Sequence, residues 1–258
     1  VGADITRHVR GLEPKGVTIS LGGEIGEVGT SNSTVAELRA FMAGYNRVLA
    51  AQAPSMIGLS KISVQSGTSH GGIVLADGSI AEVKLDFNTL KELGEVARRE
   101  FGLSGAVQHG ASTLPDGAFN HFPTCETAEI HLATGFQNML YDGMAAALRD
   151  ELYAWLRANA ADERKPKDSE EQFIYKTRKK ALGPFKRQLW DMAEGARASL
   201  GSAFDQKFEF LFTQLGVAGT AAAVARFVRP PEQHRPAPSG SGGSAGTSAA
   251  HDDADAGE

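Results

Sequence analysis

The sequence predicts an α/β fold built on a parallel sheet, and two observations support this prediction. Strand-like and helix-like segments alternate four times between residues 17 and 134, with the strand-like runs near positions 17, 60, 105 and 128. Such alternation is typical of right-handed β–α–β crossovers, which produce parallel sheets. Glycines follow the carboxyl ends of these runs, where the backbone of a parallel α/β protein can approach a ligand closely.

The turn after the first strand-like run distinguishes between two parallel-sheet architectures. A doubly wound dinucleotide-binding sheet requires a Gly-x-Gly-x-x-Gly turn at this point. The sequence reads GGEIG at positions 22–26 instead, and Glu24 stands where a pyrophosphate would lie. The pattern therefore favours a TIM (β/α)8 barrel, and four βα units amount to half of one. We expect the chain to contain the C-terminal half of such a barrel, followed by a helical extension.

Local patterns predict the individual elements in order. Ile5, Val9 and Leu12 have helical spacing, so we expect a helix before the first strand. Thr34 followed by Glu37 has the pattern of a capping box and predicts the start of the next helix. Apolar and β-branched runs predict the four strands, at residues 17–21, 60–67, 105–108 and 128–134.

Composition divides the chain into three parts. Residues 1–140 contain the four strand–helix units of the predicted half barrel. Residues 141–228 are mostly helix-like, and their aromatic residues predict either a core or a dimer interface. Residues 229–258 are rich in Pro, Gly, Ser, Ala and Asp without apolar periodicity, which predicts a disordered tail.

Charge and cysteine content narrow the classes of function. The 258 residues carry a formal net charge of -5, which gives no reason to expect a nucleic acid or an anionic membrane as partner. No apolar run reaches the roughly 20 residues that span a bilayer. The single cysteine, Cys125, excludes an internal disulfide framework and suits a cytoplasmic location.

Two of the units end in the same way, with a histidine followed by glycine after a strand. Imidazoles at the ends of neighbouring parallel strands could share a metal ion. Glycine N–H groups and nearby hydroxyls could hold an anion beside it. The residues expected at this end of the sheet are Glu24, His70, Gly71, His109, Gly110, Ser112 and Thr134.

Several of these segments resemble a known family, the class II, metal-dependent fructose-1,6-bisphosphate and tagatose-1,6-bisphosphate aldolases. Their order and spacing are similar over about residues 15–140. The matching segments are GEIG at 23–26, GTSHG at 67–71, LDF at 85–87, HGAS at 109–112 and Ala133-Thr134 at the end of the fourth strand.

The resemblance implies a role for each matching residue. His70 and His109 would be two of three zinc ligands, and Glu24 would lie beside the metal as an alternative ligand or polar support. The implied reaction is reversible aldol cleavage of a ketose bisphosphate through an enediolate. The phosphate of dihydroxyacetone phosphate would be held by Gly71, Gly110, Ser112 and Thr134, with a monovalent cation nearby.

The sequence also departs from the family pattern. The family's third zinc histidine and its catalytic aspartate lie on an earlier strand, so we expect them upstream of Val1. The proton-transferring carboxylate is not identified by the motifs, and Glu24 and Glu27 are the candidates. His131 stands where the family has an asparagine, and its ring could bind phosphate or alter substrate preference.

Two other functions remain open at this point. The chain could be a non-catalytic sugar-phosphate-binding or scaffolding relative, or another metal-dependent barrel lyase or isomerase. For the aldolase we expect a phosphorylated sugar as substrate, no nucleic acid or membrane partner, and a homodimer or higher homo-oligomer.

Overall fold

A computed structural model describes residues 1–26, 31–67, 74–81 and 85–229 of the chain. Within these residues four short parallel strands form one sheet in their sequence order, each paired with the next. The predicted parallel α/β fold, with the architecture of a partial barrel, is confirmed. The strands are β1 (Gly22–Glu24), β2 (Lys61–Ser63), β3 (Ala106–Gln108) and β4 (Glu129–Ile130).

Helices separate the strands and continue after the last one. Three of them precede or connect the first three strands, and α4 is a single turn before β4. The others follow the sheet. The helices are α1 (Gly2–Leu12), α2 (Val35–Gln52), α3 (Phe87–Phe101), α4 (His121–Thr124), α5 (Thr134–Gly143), α6 (Ala146–Asn159), α7 (Glu170–Thr177), α8 (Lys186–Trp190), α9 (Glu194–Gln214) and α10 (Ala221–Phe227).

One side of the sheet packs against helices, and we call it the apolar face; it contains Gly23, Ile62, Ala106 and Ile130. Gly23 is paired with Ile62, and Ile62 with Ala106. A Cβ on Gly23 would lie 2.7 Å from Leu59 Cδ1, so the chain approaches this strand too closely for a side chain. Ile62 and Ala106 are fully buried.

The opposite side of the sheet carries the intervening residues, because successive side chains of a strand point to opposite faces. We call it the polar face; it contains Glu24, Lys61 and Glu129 and, just beyond the strand ends, His109 and His131. Lys61 Nζ donates a hydrogen bond to the Glu129 carboxylate across β3. Charged side chains therefore connect the strands on the polar face, whereas packing of apolar side chains connects them on the apolar face.

The first strand is not where the β-branched run predicts it. Residues 17–21 form no strand, and β1 begins at Gly22. Pairing determines the position: the Ser60 N–H donates to the Leu21 carbonyl at 2.7 Å, and the ladder to β2 starts immediately afterwards. The prediction that glycine ends this strand was therefore wrong, because Gly23 fits a position with no room for a side chain.

The fourth strand is shorter than predicted. It ends at Ile130, and Thr134 is the first residue of α5 rather than the last residue of a strand. The His131 N–H still donates to the Gln108 carbonyl at 2.9 Å, so the ladder continues one residue further.

Helix α2 begins as predicted. The Thr34 hydroxyl accepts from the Glu37 N–H, and the Glu37 carboxylate accepts from the Thr34 N–H at 2.7 Å. This reciprocal pair satisfies two N–H groups that a helix start leaves without partners. The predicted capping box is confirmed.

Asp86 joins the segments that follow β1 and β2. Its side chain accepts from the backbone of Asn88 and Thr89 and caps α3, and it also accepts from Asn32 Nδ2 at 3.0 Å. Its own N–H donates to the Ser66 carbonyl at 2.8 Å. The hydrogen bond from the Thr89 hydroxyl is the main cause that lowers the pKa of Asp86, so the cap stays ionised.

The helices after the sheet form a second buried cluster around Tyr141, Leu152 and Phe173, while Leu211 of α9 joins the core beneath the sheet. The predicted boundary at residue 140 stays a prediction. The predicted tail falls, from residue 230 onward, outside the described residues. Within the described ranges, no helix is long and apolar enough to cross a membrane.

Candidate functional site

The candidate site lies at the carboxyl end of the sheet, on its polar face. Glu24 is the last residue of β1, His109 follows β3 directly, and His131 follows β4. Parallel pairing brings these three strand ends to one edge, as the sequence predicts.

Glu24 and His109 form the central contact of the site. His109 Nδ1 and Glu24 Oε1 are 3.2 Å apart, and the His109 side chain is 20% exposed. An ionised carboxylate only accepts hydrogen bonds, so Nδ1 carries the hydrogen in this contact. A carboxylate on one ring nitrogen is the arrangement that orients metal-binding histidines in proteins.

His131 stacks on His109. The ring centroids are 4.5 Å apart with an angle of 27° between the planes. His131 Nε2 lies 2.5 Å from Glu129 Oε1 and donates to it, by the same argument as for His109. Each imidazole is therefore fixed by its own glutamate, and the two rings hold each other in place.

Glu129 receives hydrogen bonds from two sides. Burial raises the pKa of its carboxyl, but the hydrogen bonds from Lys61 and His131 outweigh burial and leave the pKa below its ordinary value of 4.5. Glu129 is therefore a carboxylate at neutral pH. Its charge is matched by Lys61, whose side chain is only 16% exposed.

Groups suited to an anion surround the turn that follows His109. Gly110 has a φ of +67° and leads into a 3-10 turn, Ala111–Thr113. The N-terminus of α5 packs on this turn so closely that a Cβ on Gly135 would lie 2.5 Å from the Ser112 carbonyl oxygen. The N–H groups at a helix start favour negative charge. The turn that contains Ser112 and the start of α5, whose first residue is Thr134, are thus adjacent.

Three predicted site residues, Glu27, His70 and Gly71, lie outside the described residues. Within the part of the chain that the structure describes, no group of three or more His, Cys, Asp or Glu residues could hold a metal ion. His109 and Glu24 fit a zinc site in chemistry, as an imidazole and the carboxylate that orients it.

Sequence reasoning did not single out Lys61 or Glu129. The alternation of side chains along β4 could have identified Glu129, because it lies two residues before His131 and so on the same face. No comparable sequence pattern indicated Lys61, since its contact with Glu129 depends on the register of the strands between them.

Comparisons with known proteins agree with the motifs. The family model for class-II fructose-bisphosphate aldolase matches residues 5–203, which extends past the segments that carry the motifs into α9. No curated protein sequence matches the chain.

The solved structures that match include two bacterial proteins. A probable tagatose 6 phosphate kinase from Sinorhizobium meliloti 1021 is 19% identical, with a TM-score of 0.49 over 87% of this chain and 60% of that one. The YdjI aldolase from Escherichia coli K12 is 16% identical, with a TM-score of 0.34 over 76% of this chain. The chain spans 56% of the length of the latter protein. Because the family model matches well over half of its residues, the chain belongs to the class II fructose-bisphosphate aldolase family.

Proposed function

We propose that the chain contributes the metal and phosphate sites of a class II aldolase that cleaves a ketose bisphosphate reversibly into dihydroxyacetone phosphate and an aldehyde. The observation that carries this proposal is the Glu24–His109 pair beside the Gly110 turn and the start of α5. A metal-binding imidazole next to an anion-binding turn suits a substrate that has a carbonyl and a phosphate in one molecule.

His109 would hold zinc through Nε2, together with His70, and Glu24 would keep the His109 ring in the required tautomer. When bound, a divalent metal ion supplies Lewis-acid polarisation of a substrate carbonyl. The class II family is typically metal-dependent, and the choice of zinc rests on the two histidines.

The substrate phosphate would be held by the Gly110 and Gly71 N–H groups, the Ser112 and Thr134 hydroxyls and the start of α5, with a monovalent cation nearby. His131 is close enough to His109 to contribute its ring to this site. Its Nε2 is engaged by Glu129, so the Nδ1 edge is the one it would offer.

Of the two candidate carboxylates, Glu24 already orients His109. We therefore assign proton transfer to Glu27 and the orienting role to Glu24. The homodimeric or higher homo-oligomeric state and the cytoplasmic location predicted from the sequence stay predictions.

The proposal is tested by measuring cleavage of fructose 1,6-bisphosphate and tagatose 1,6-bisphosphate by the full-length protein, purified with whatever segment precedes Val1, with added zinc and then with a chelator. We expect cleavage that the chelator abolishes, and a loss of at least about 100-fold for His109→Ala. His8→Ala, on the exposed side of α1, is the matched histidine control and should keep its activity.

Cleavage that survives both the chelator and His109→Ala would rule out the metal mechanism. Binding of phosphate without cleavage of either substrate would favour the non-catalytic sugar-phosphate-binding relative instead.

A further inference from the structure

A cavity of about 190 Å³ lies between α5, α9 and the turns that follow β3. Five apolar side chains line most of it: Phe119, Leu132, Phe136, Met139 and Leu211. An apolar cavity of about 150 Å³ binds benzene and excludes water, because its walls offer water no hydrogen bonds. This cavity is therefore large enough for one six-membered ring.

The walls of the cavity favour an aromatic ring. Phe119 and Phe136 can each pack against a third ring, edge to face or with an offset. Met139 adds a sulfur atom, which makes favourable contacts with the edges of aromatic rings. A sugar phosphate does not suit these walls, because its hydroxyl groups would be buried without hydrogen-bond partners.

Lys207 of α9 is the charged residue among those that line the cavity. Its ammonium lies 4.9 Å from the centre of the Phe210 ring and 5.7 Å from that of Phe119, so two aromatic faces hold it beside the cavity. An ammonium only donates hydrogen bonds, so a ligand group that binds it must be an acceptor.

Asp116 shows which acceptor fits this ammonium. Its carboxylate accepts from Lys207 Nζ at 2.5 Å, and its side chain is 64% exposed. Ion pairs that are exposed to this extent contribute little to stability. The carboxylate of a ligand can therefore take the place of Asp116 at little cost.

We propose that this cavity binds a small aromatic carboxylate. The ring lies among Phe119, Phe136 and Met139, and the carboxylate accepts from Lys207 Nζ in place of Asp116. The inference goes beyond the proposed function and does not depend on it, since neither the metal ligands nor a ketose bisphosphate takes part.

The probe is benzoate, titrated calorimetrically into the full-length protein. Two smaller tests of recognition accompany it: benzyl alcohol has the ring without the charge, and acetate has the charge without the ring. We expect benzoate to bind with a Kd of about 1 mM or tighter, and each of the other two to bind at least about fivefold more weakly.

Lys207→Met removes the ammonium and keeps an apolar side chain of similar length. Its affinity for benzoate should fall at least about tenfold, while its affinity for benzyl alcohol changes by no more than about twofold. Lys186→Met, at an exposed position of α8 outside the cavity lining, is the matched control. It should keep its affinity for benzoate within about twofold.

Asp116→Asn tests the same contact in the opposite direction. It removes the carboxylate that competes for Lys207, so the affinity for benzoate should rise about threefold. A gain of affinity cannot come from damage to the fold, so this variant decides the matter should Lys207→Met fail to fold. Unchanged or weaker benzoate binding in Asp116→Asn would contradict the inference.

The methyl resonances of two methionines report where benzoate binds. Benzoate should shift the resonance of Met139 and leave that of Met144, which is buried in the cluster around Tyr141, unshifted. Titration in the presence of inorganic phosphate then separates the cavity from the proposed phosphate site. Benzoate affinity that phosphate does not change, with the Met139 shift retained, would support the inference.

Displacement of benzoate by phosphate without any shift at Met139 would overturn the inference, because benzoate would then occupy the phosphate site. Equal losses in Lys207→Met and Lys186→Met, or no benzoate binding to the wild type, would overturn it as well. A protein that binds benzoate beside Met139 but cleaves neither ketose bisphosphate would support the inference and reject the proposed function alone.

Discussion

On the apolar face of the sheet, Gly23, Ile62 and Ala106 pack beneath helices with no polar atom in their side chains. On the polar face, only one residue away along each strand, Glu24 forms a hydrogen bond with His109 and Lys61 an ion pair with Glu129, and both contacts reach across neighbouring strands. The same short strands therefore carry two kinds of interaction, separated by the alternation of side chains.

The difference shows that the apolar face stabilises the fold, whereas the polar face positions the residues of the candidate site. Burial of apolar surface is worth about 25 cal/mol per Å2, so fully buried side chains such as Ile62 dominate the free energy of folding. Partly exposed ion pairs are worth at most about 1 kcal/mol each, so the polar face adds little to stability. Its contacts instead fix the positions of His109 and His131.

The largest stability effect should follow a change on the apolar face. Ile62→Ala leaves a cavity in the core cluster that Ile62 shares with residues of α2 and α3 and should lower the free energy of unfolding by about 2–5 kcal/mol. Lys61→Met, one residue earlier and on the polar face, is the matched variant and should cost about 1 kcal/mol or less. Urea denaturation of both measures the difference, and equal losses would contradict the division between the faces.

A change at Glu24 should affect function more than folding. Glu24→Gln can still bond to His109 but no longer enforces its tautomer, so zinc affinity should fall about 10–100-fold. The free energy of unfolding of the zinc-free chain should change by about 1 kcal/mol or less, because the Glu24 side chain is 52% exposed. Zinc titration against a competing chelator measures the first quantity. Unchanged zinc affinity would remove Glu24 from the proposed site.

The smallest effect is a pH dependence from Glu129. Its pKa in the folded chain lies below 4.5, so folding favours the carboxylate form. The resulting stability is present above the unfolded pKa and is lost as the pH falls through the lowered folded pKa.

Denaturation of the wild type and of Glu129→Gln between about pH 6 and pH 3 checks this dependence. The stability advantage of the wild type should shrink as the pH falls. An advantage that grows toward low pH would show that the sign is wrong.

The sequence predicted best what depends on neighbouring residues or on general rules of topology. The capping box of Thr34 and Glu37 needs only residues three apart. The meeting of Glu24 with His109 follows from the rule that parallel strands end at one edge.

Features that depend on exact register were harder to foresee. β1 lies at Gly22–Glu24 because of its pairing with β2 and the close packing at Gly23, and β-propensity at residues 17–21 favoured the wrong segment. The stack of His131 on His109 likewise depends on the register between β3 and β4. The sequence did not predict that Gln108 is fully buried, since a glutamine at a strand end is ordinarily exposed.

The central claim is that His109 on the polar face is a metal ligand. The most direct test is the zinc content of the full-length protein, purified with whatever segment precedes Val1, after dialysis, compared between the wild type, His109→Ala and His8→Ala. We predict about one zinc ion per chain in the wild type and in His8→Ala, and very little in His109→Ala. Full zinc content in His109→Ala, or none in the wild type, would contradict the claim.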